Sequence, residues 1–264
     1  MSSSLTLALQ DLWQGIIAWR VWLLFGWQDI RIRYRRSLLG PFWISLSMAI
    51  IVASMGFLYS HLFKMDLRHY LPFLAGGMLA WSFISTMICE SPVVFVEANP
   101  FVKQVKIPYS VFLMRMITRN FIIFLHNLLI VVIIILFLKV SINVSIISIL
   151  LGLMIIMGSA FFVGLLVGTL NARYRDFNPI VSSFVQICFF LSPIMWPAEN
   201  LPPRYAFFVK YNPVAQYVSL IRDPLLGHWP SFHAYALTIT TMLVFAFASL
   251  ALFVRCRRRL IFWL

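Results

Sequence analysis

Residues 31–60 read RIRYRRSLLGPFWISLSMAIIVASMGFLYS. Arg31, Arg33, Arg35 and Arg36 crowd the first six positions, and then Ser37 to Ser60 passes without a charge. A helix crosses a bilayer with roughly 17–25 mostly apolar residues, so Ser37–Ser60 is predicted to span. Gly40 permits a sharp bend, and proline is tolerated in a first helical turn, where Pro41 stands. The stretch therefore reads as a basic elbow that turns an arm at the membrane surface into a transmembrane helix.

Five further stretches meet the same requirement: Leu71–Cys89, Asn120–Leu138 between Arg119 and Lys139, Val140–Ala172 with its helix beginning after Asn143, Phe177–Ala198, and Ser231–Val254 closed by Arg255. Composition agrees. Of 264 residues 62% are hydrophobic and 11% charged, against about 25% charged in soluble domains, and the mean hydropathy is +0.92. Lipid is the solvent for most of such a chain, and the expected fold is an all-α integral membrane protein with six transmembrane helices. No sizeable soluble domain remains, and no GxxxxGK[ST] phosphate loop is present, so a nucleotide-hydrolysing engine is expected on another chain. Cys89, Cys188 and Cys256 have no CxxC spacing and suggest no disulfide or metal framework. The first 35 or so residues lack the uninterrupted apolar core and cleavage site of a secretory signal, so no cleavable signal is expected.

The net charge is +13. In a soluble protein it would suggest nucleic acid; here it reports orientation. Arg20, Arg31, Arg33, Arg35, Arg36, Lys103, Lys106, Arg115, Arg119, Arg173, Arg175, Arg255, Arg257, Arg258 and Arg259 fall on one side. Lys64, Arg68, Lys139, Arg204, Lys210 and Arg222 fall on the other. The positive-inside rule then places both termini in the cytoplasm.

Two segments neither span nor simply connect. Leu5–Gln28 carries Trp13, Trp19, Trp22 and Trp27, with Leu9, Leu12, Trp13, Ile16, Trp19, Leu23 and Trp27 at three- or four-residue steps. It reads as an amphipathic helix in the cytoplasmic interface. Residues 1–36 thus form an interfacial helix with its elbow, and residues 37–264 the membrane domain. Between the fifth and sixth spans, Trp196–Pro230 carries six prolines around the short apolar pieces Tyr205–Val209 and Val214–Leu220. These predict two short helices on the external side, dipping into the outer leaflet or capping an opening.

Three polar constellations face the cytoplasm. The elbow arginines can anchor anionic lipid heads, or bind a phosphorylated lipid-linked substrate through bidentate contacts. Glu97–Pro108, bracketed by Pro100 and Pro108, can be a short amphipathic helix that docks a cytoplasmic partner, or a solvated connector. Asn171–Pro179 is a short polar turn. Glu90, near the cytoplasmic end of span two, is expected to pair with the arginine cluster, and His126 to hydrogen-bond between helices. No second intramembrane acid or histidine supports ion coupling. No catalytic Ser/His/Asp or Cys/His set is present, and the acids Asp11, Asp29, Glu97 and Asp176 are too scattered for a lipid-linked glycan transferase. Phe57, Tyr59, Phe189, Phe190 and Trp196 can either pack or line a path for sugars.

Arg33-Tyr34-Arg35-Arg36-Ser37-Leu38-Leu39-Gly40-Pro41-Phe42-Trp43 resembles the RYRxSxLGxxW opening of ABC-2 type permeases that export bacterial polysaccharides. Val102-Lys103-Gln104-Val105-Lys106-Ile107-Pro108 is similar to the family's LIKKVxFP segment, with Gln104 and Ile107 as departures. Asn171–Asp176 is similar to its N-x-R-[YF]-R-D loop, and Ser192–Pro197 and Tyr211-Asn212-Pro213 to its SPIxxP and xNP motifs. The motifs run in the family's order from about residue 25 to 227, and the LGPFW version resembles the lipopolysaccharide O-antigen exporters. Capsule and teichoic-acid permeases share much of the pattern, and exporters of drugs or small lipids share the topology without the elbow.

The resemblance implies a non-enzymatic permease of the bacterial inner membrane, a homodimer with two ABC ATPase subunits that carry ATP and magnesium, with no cofactor on this chain. The substrate it implies is an undecaprenyl-pyrophosphate-linked polysaccharide. Arg33, Tyr34, Arg35, Arg36 and Gly40 would admit its head group. Glu97, Asn99, Pro100, Phe101, Val102, Lys103, Val105 and Lys106 would form a coupling helix, with Arg173, Arg175 and Asp176 as a second ATPase contact. Pro197, Tyr205, Tyr211 and Pro213 would belong to an external gate over residues 197–230.

Overall fold

The computed structural model describes residues 2–138 and 146–264. Regular structure among them is helical throughout. Lys139, Val140 and Asn143, the expected limits of spans three and four, lie outside the described residues.

The N-terminal arm is two helices, α1 (Ser2–Ile17) and α2 (Trp19–Arg33), rather than the single helix expected. Ala18 breaks it with φ −70° and ψ 40°. Leu9, Trp13, Ile16, Trp19, Leu23 and Trp27 are all exposed, as an interfacial face requires, while Leu12 turns to the core. The face toward the protein is made of small or polar residues, with Ala8, Asp11 and Gly15 buried. At the elbow Gly40 has φ +56°, and a Cβ there would meet nothing within 4 Å. Glycine is needed for its backbone, since left-handed geometry costs other residues about 1–2 kcal/mol.

The chain then forms α3 (Phe42–Leu62), α4 (Leu67–Glu90), a 3₁₀ turn at Ser91–Val93, α5 (Val94–Gln104), α6 (Tyr109–Phe137), α7 (Ile146–Arg173) and α8 (Phe177–Leu191). After 3₁₀ turns at Ala198–Asn200 and Pro203–Tyr205 come α9 (Ala206–Tyr211), α10 (Pro213–Leu225) and α11 (Phe232–Trp263). The two short helices expected in Trp196–Pro230 are thus present as α9 and α10. Among the described residues five helical stretches are long and apolar enough to cross a membrane: Phe42–Leu62, Leu67–Phe101, Tyr109–Phe137, Ile147–Arg173 and Phe232–Trp263.

The fifth expected span, Phe177–Ala198, stops early. Its helix has 15 residues, about 22 Å at 1.5 Å per residue, short of the roughly 30 Å hydrocarbon core. Pro193 is the cause: a residue before proline is pushed out of the α region, and Ser192 takes ψ 145°. Elsewhere charge misplaced the helix ends. Neither Arg119 nor Arg255 ends a helix; α6 begins at Tyr109 and α11 runs on to Trp263. Arginine is a good helix former, so a charge marks where hydrocarbon immersion ends and not where the helix does. Pro100 does not open the Glu97–Pro108 segment but lies inside α5, which starts at Val94 and ends before Val105.

α6 is the central mast, packed by α1, α2, α3, α4, α5 and α7, while α11 lies along α7. The fully buried side chains Leu79, Met87, Phe95, Phe112, Leu113, Phe124 and Leu165 fill the space between these helices. Pro108 precedes α6 and supplies no side-chain cap. The free amides of the first turn are capped by another helix. Asp11 of α1 accepts from the Tyr109 and Ser110 backbone N–H groups, each at 3.2 Å. The Ser110 hydroxyl donates to the Asp11 carbonyl at 2.6 Å, and Arg257 of α11 donates to Asp11 Oδ2 at 3.0 Å. The positive end of a helix favours a carboxylate there. Gly15 permits the approach, because a Cβ would come within 1.9 Å of Ser110 Oγ.

Asp11→Ala should cost about 2–4 kcal/mol, because it orphans two buried amides and the Arg257 cation. A thermal unfolding midpoint in detergent reads this directly, and Asp11→Asn should lose less than Asp11→Ala.

Candidate functional site

Asp29 near the end of α2 receives a bidentate pair from Arg115 of α6, at 2.6 and 2.8 Å. Arg119, one turn further along α6, donates to Asp29 at 3.0 Å and to Glu90 at the end of α4 at 2.8 Å. Asn120 donates to Glu90 at 2.5 Å, and Arg33 of α2 stands 3.8 Å from the same carboxylate. Glu90 does meet arginine, but its hydrogen-bonded partner is Arg119 of α6; of the elbow arginines expected there only Arg33 comes within 4 Å among the described residues. The Arg115 guanidinium also lies over the rings of Phe25 (5.7 Å) and Phe101 (5.8 Å). One junction so binds the interfacial helix α2, the end of α4, the core helix α6 and the ring of Phe101 on α5. Arg119, Asp29 and Arg115 have side chains only 11–19% exposed, so salt screens these pairs less than surface pairs.

Beside this junction the elbow stays open. Arg33, Arg35 and Arg36 are exposed, with Tyr34 and Gly40 half-buried. Leu24, Trp27, Gln28, Arg31, Ile32 and Arg35 line an open groove along α2. It combines an apolar floor with two cations, a combination suited to an amphiphile carrying a phosphate.

On α5, Glu97, Pro100 and Lys103 are exposed and Asn99 is half-buried. Val102 is on this helix, and its side chain lies outside the described residues. Phe101 packs on Phe25 with ring centroids 5.6 Å apart. Val105 and Lys106 are exposed in the extended stretch that follows. Arg173, Arg175 and Asp176 are exposed at the turn between α7 and α8. Asn171 just before them is buried and donates to the Pro92 carbonyl at 2.7 Å.

At the far end, Ser192–Trp196 forms a turn held by its neighbours. Arg222 of α10 donates to the Pro193 carbonyl at 2.7 Å and lies over the Phe73 ring at 4.4 Å. Tyr70 donates to the Met195 carbonyl, and Asn212 donates to Ser192 Oγ at 3.0 Å. Burial pulls the Arg222 guanidinium below its ordinary value and pushes the Asp223 carboxyl above its own, each partly offset by the other's charge. Among the expected gate residues Pro197 is buried, while Tyr205, Tyr211 and Pro213 are exposed.

The aromatic candidates do not form one cluster. Phe57 contacts His61 and Tyr59 contacts Phe63, both within the α3 end of the chain. Phe189 packs on Trp81 and on Phe190, and the Trp196 indole donates to the Phe190 carbonyl at 3.4 Å. The His126 ring bonds its own helix at Ile122; the interhelical bond there runs from Ser45 Oγ to the His126 carbonyl, 2.8 Å.

The model of the ABC-2 type transporter family matches residues 20–226. The chain belongs to this family. ABC-2 type transporters are transport permeases in the membrane, and membership implies a multi-pass membrane protein with an ABC ATPase partner. Two relatives are O-antigen export system permease proteins RfbA of Klebsiella pneumoniae. They are 22% and 23% identical to this ABC-2 chain over 236 residues, 88% of this chain and 90% of theirs. The matched region takes in the elbow, the junction, α5, the α7–α8 turn and α10. Sequence reasoning missed Arg115, Arg119 and Asp29 as a unit, because Arg115 and Arg119 read as loop charges. Their four-residue spacing on one helix face was the available signal.

Arg119→Met should lower stability by about 3–5 kcal/mol, the usual cost of stranding a buried charge partner. Adding Glu90→Gln should return part of that loss. Equal unfolding midpoints for the single and double variants would contradict the pairing.

Proposed function

We propose that the chain is the permease of an ATP-driven exporter of undecaprenyl-pyrophosphate-linked O-antigen polysaccharide, moving it from cytoplasm to periplasm across the bacterial inner membrane. The observation that carries this reading is the groove along α2. Arg31 and Arg35 line it together with Leu24, Trp27 and Ile32, shortly before the glycine bend at Gly40 that leads into the first span. A pyrophosphate matches the cations, and a polyprenyl chain matches the apolar floor. The names of the relatives favour O-antigen over capsule or teichoic acid.

In this reading both termini are cytoplasmic, and α8 with the Ser192–Trp196 turn acts as a sixth crossing. Two copies pair, and two separate ATPase subunits, which bind ATP and magnesium, dock beneath at α5 and the Arg173–Asp176 turn. Support for pairing comes from α8, whose stripe of Ile180, Phe184, Ile187 and Leu191 is 56–67% exposed. ATP-driven closure pushes on α5, and the junction at Arg115 and Arg119 passes the displacement to α2 and the elbow. Aromatic side chains such as Phe57, Tyr59, Phe189, Phe190 and Trp196 line the glycan path, and α9 and α10 gate its external mouth.

Replacing both Arg35 and Arg36 by Ala should cut surface polysaccharide at least about tenfold, the effect of losing roughly one charge-assisted phosphate contact. Complex assembly, read by co-purification of the ATPase, should be unchanged. Normal export from the double variant would overturn the elbow assignment.

A further inference from the structure

The two proposed ATPase contacts lie on α5 and at the α7–α8 turn, some 70 residues apart in sequence, and the end of α11 touches both. Asn99 of α5 donates from Nδ2 to the Leu264 carbonyl at 2.6 Å. The Arg173 guanidinium lies 5.4 Å from the centre of the Trp263 ring and 5.1 Å from that of Tyr174. Arg175 Nη2 reaches the Trp263 carbonyl at 3.5 Å. Trp263 and Leu264 are half-buried and pack against the core, which fixes this end of the helix. Upstream, the same helix is tied by Arg257 to Asp11 and so to the cap of α6.

We infer that Trp263 is a positioning residue: it holds the Arg173–Asp176 turn to the end of α11, whose next residue Leu264 holds α5 through Asn99, so that the two cytoplasmic contacts move as one body under a partner's push. The inference rests on the proposed ATPase docking at those elements and adds a part that none of the motifs contains. The physical case is one of stiffness. Arg173 and Arg175 stand on an exposed turn, where each contact is worth little alone. Three contacts to a half-buried helix end restrain that turn relative to α5, where a solvated arginine pair would leave it free to lag. An element that lags absorbs the stroke without transmitting it.

The test uses the permease reconstituted with its ATPase subunit in proteoliposomes, measuring glycan transported per ATP hydrolysed. Trp263→Ala should lower that ratio about two- to fivefold, the effect of losing the ring under Arg173, since the backbone carbonyl that Arg175 reaches is kept. Basal hydrolysis and co-purification should stay within about twofold of wild type, and Trp263→Phe, which keeps a ring under Arg173, should restore most of the ratio. Phe101→Glu separates the two layers of the claim. If it leaves the ATPase bound and stimulated, the docking reading fails. If it releases the ATPase while Trp263→Ala keeps the wild-type ratio, the docking stands and the clamp is overturned. Misfolding of Trp263→Ala would show as a lost complex, and Trp263→Leu, which keeps the bulk without a ring face for Arg173, then decides: a lowered ratio supports the clamp and a wild-type ratio overturns it.

Discussion

Arg115 and Arg119 stand in the first half of the 29-residue helix α6, buried among its neighbours. Two buried guanidinium groups are costly unless carboxylates meet them. The chain supplies those carboxylates from two different elements, Asp29 on the interfacial helix and Glu90 at the end of α4. Much of this end of the protein follows from this demand. α2 must lie against α6 at one register, and the end of α4 must come to the same point. Arg33, at the mouth of the elbow, becomes a satellite of the junction.

The trans-cap at Asp11 fixes the other half of the arm. Proline before α6 removes a local cap, so the first-turn amides need an acceptor from elsewhere. Asp11 fills that need, and Arg257 brings the end of α11 to the same carboxylate. The arm is therefore attached to the protein at two charged points, with Trp13, Trp19 and Trp27 exposed. That arrangement leaves the groove by Arg31 and Arg35 open.

The sequence made the helical membrane class, the amphipathic arm with its exposed apolar face and the bend at Gly40 readable, since these rest on local properties: apolar run length, residue spacing and the Gly-Pro pair. Glu90 was also readable, because a lone acid near the end of an apolar run demands a partner. What stayed hidden depends on contacts distant in sequence. Arg119 looked like a boundary until Asp29 and Glu90 were seen beside it, and nothing in Asp11 announces that it caps a helix 98 positions away. The end of Phe177–Leu191 was legible in principle, through Pro193, but a hydropathy window passes over a single proline.

The central claim is that the charged junction transmits force between the docking helix and the elbow. It is tested most directly by ATP hydrolysis in the reconstituted complex, with and without lipid-linked polysaccharide, for Asp29→Asn beside wild type. Asp29→Asn weakens the bond of α2 to α6 while leaving the elbow arginines and the α5 surface in place. The account predicts that basal hydrolysis persists and that its stimulation by substrate is lost. Full stimulation in the variant would contradict it.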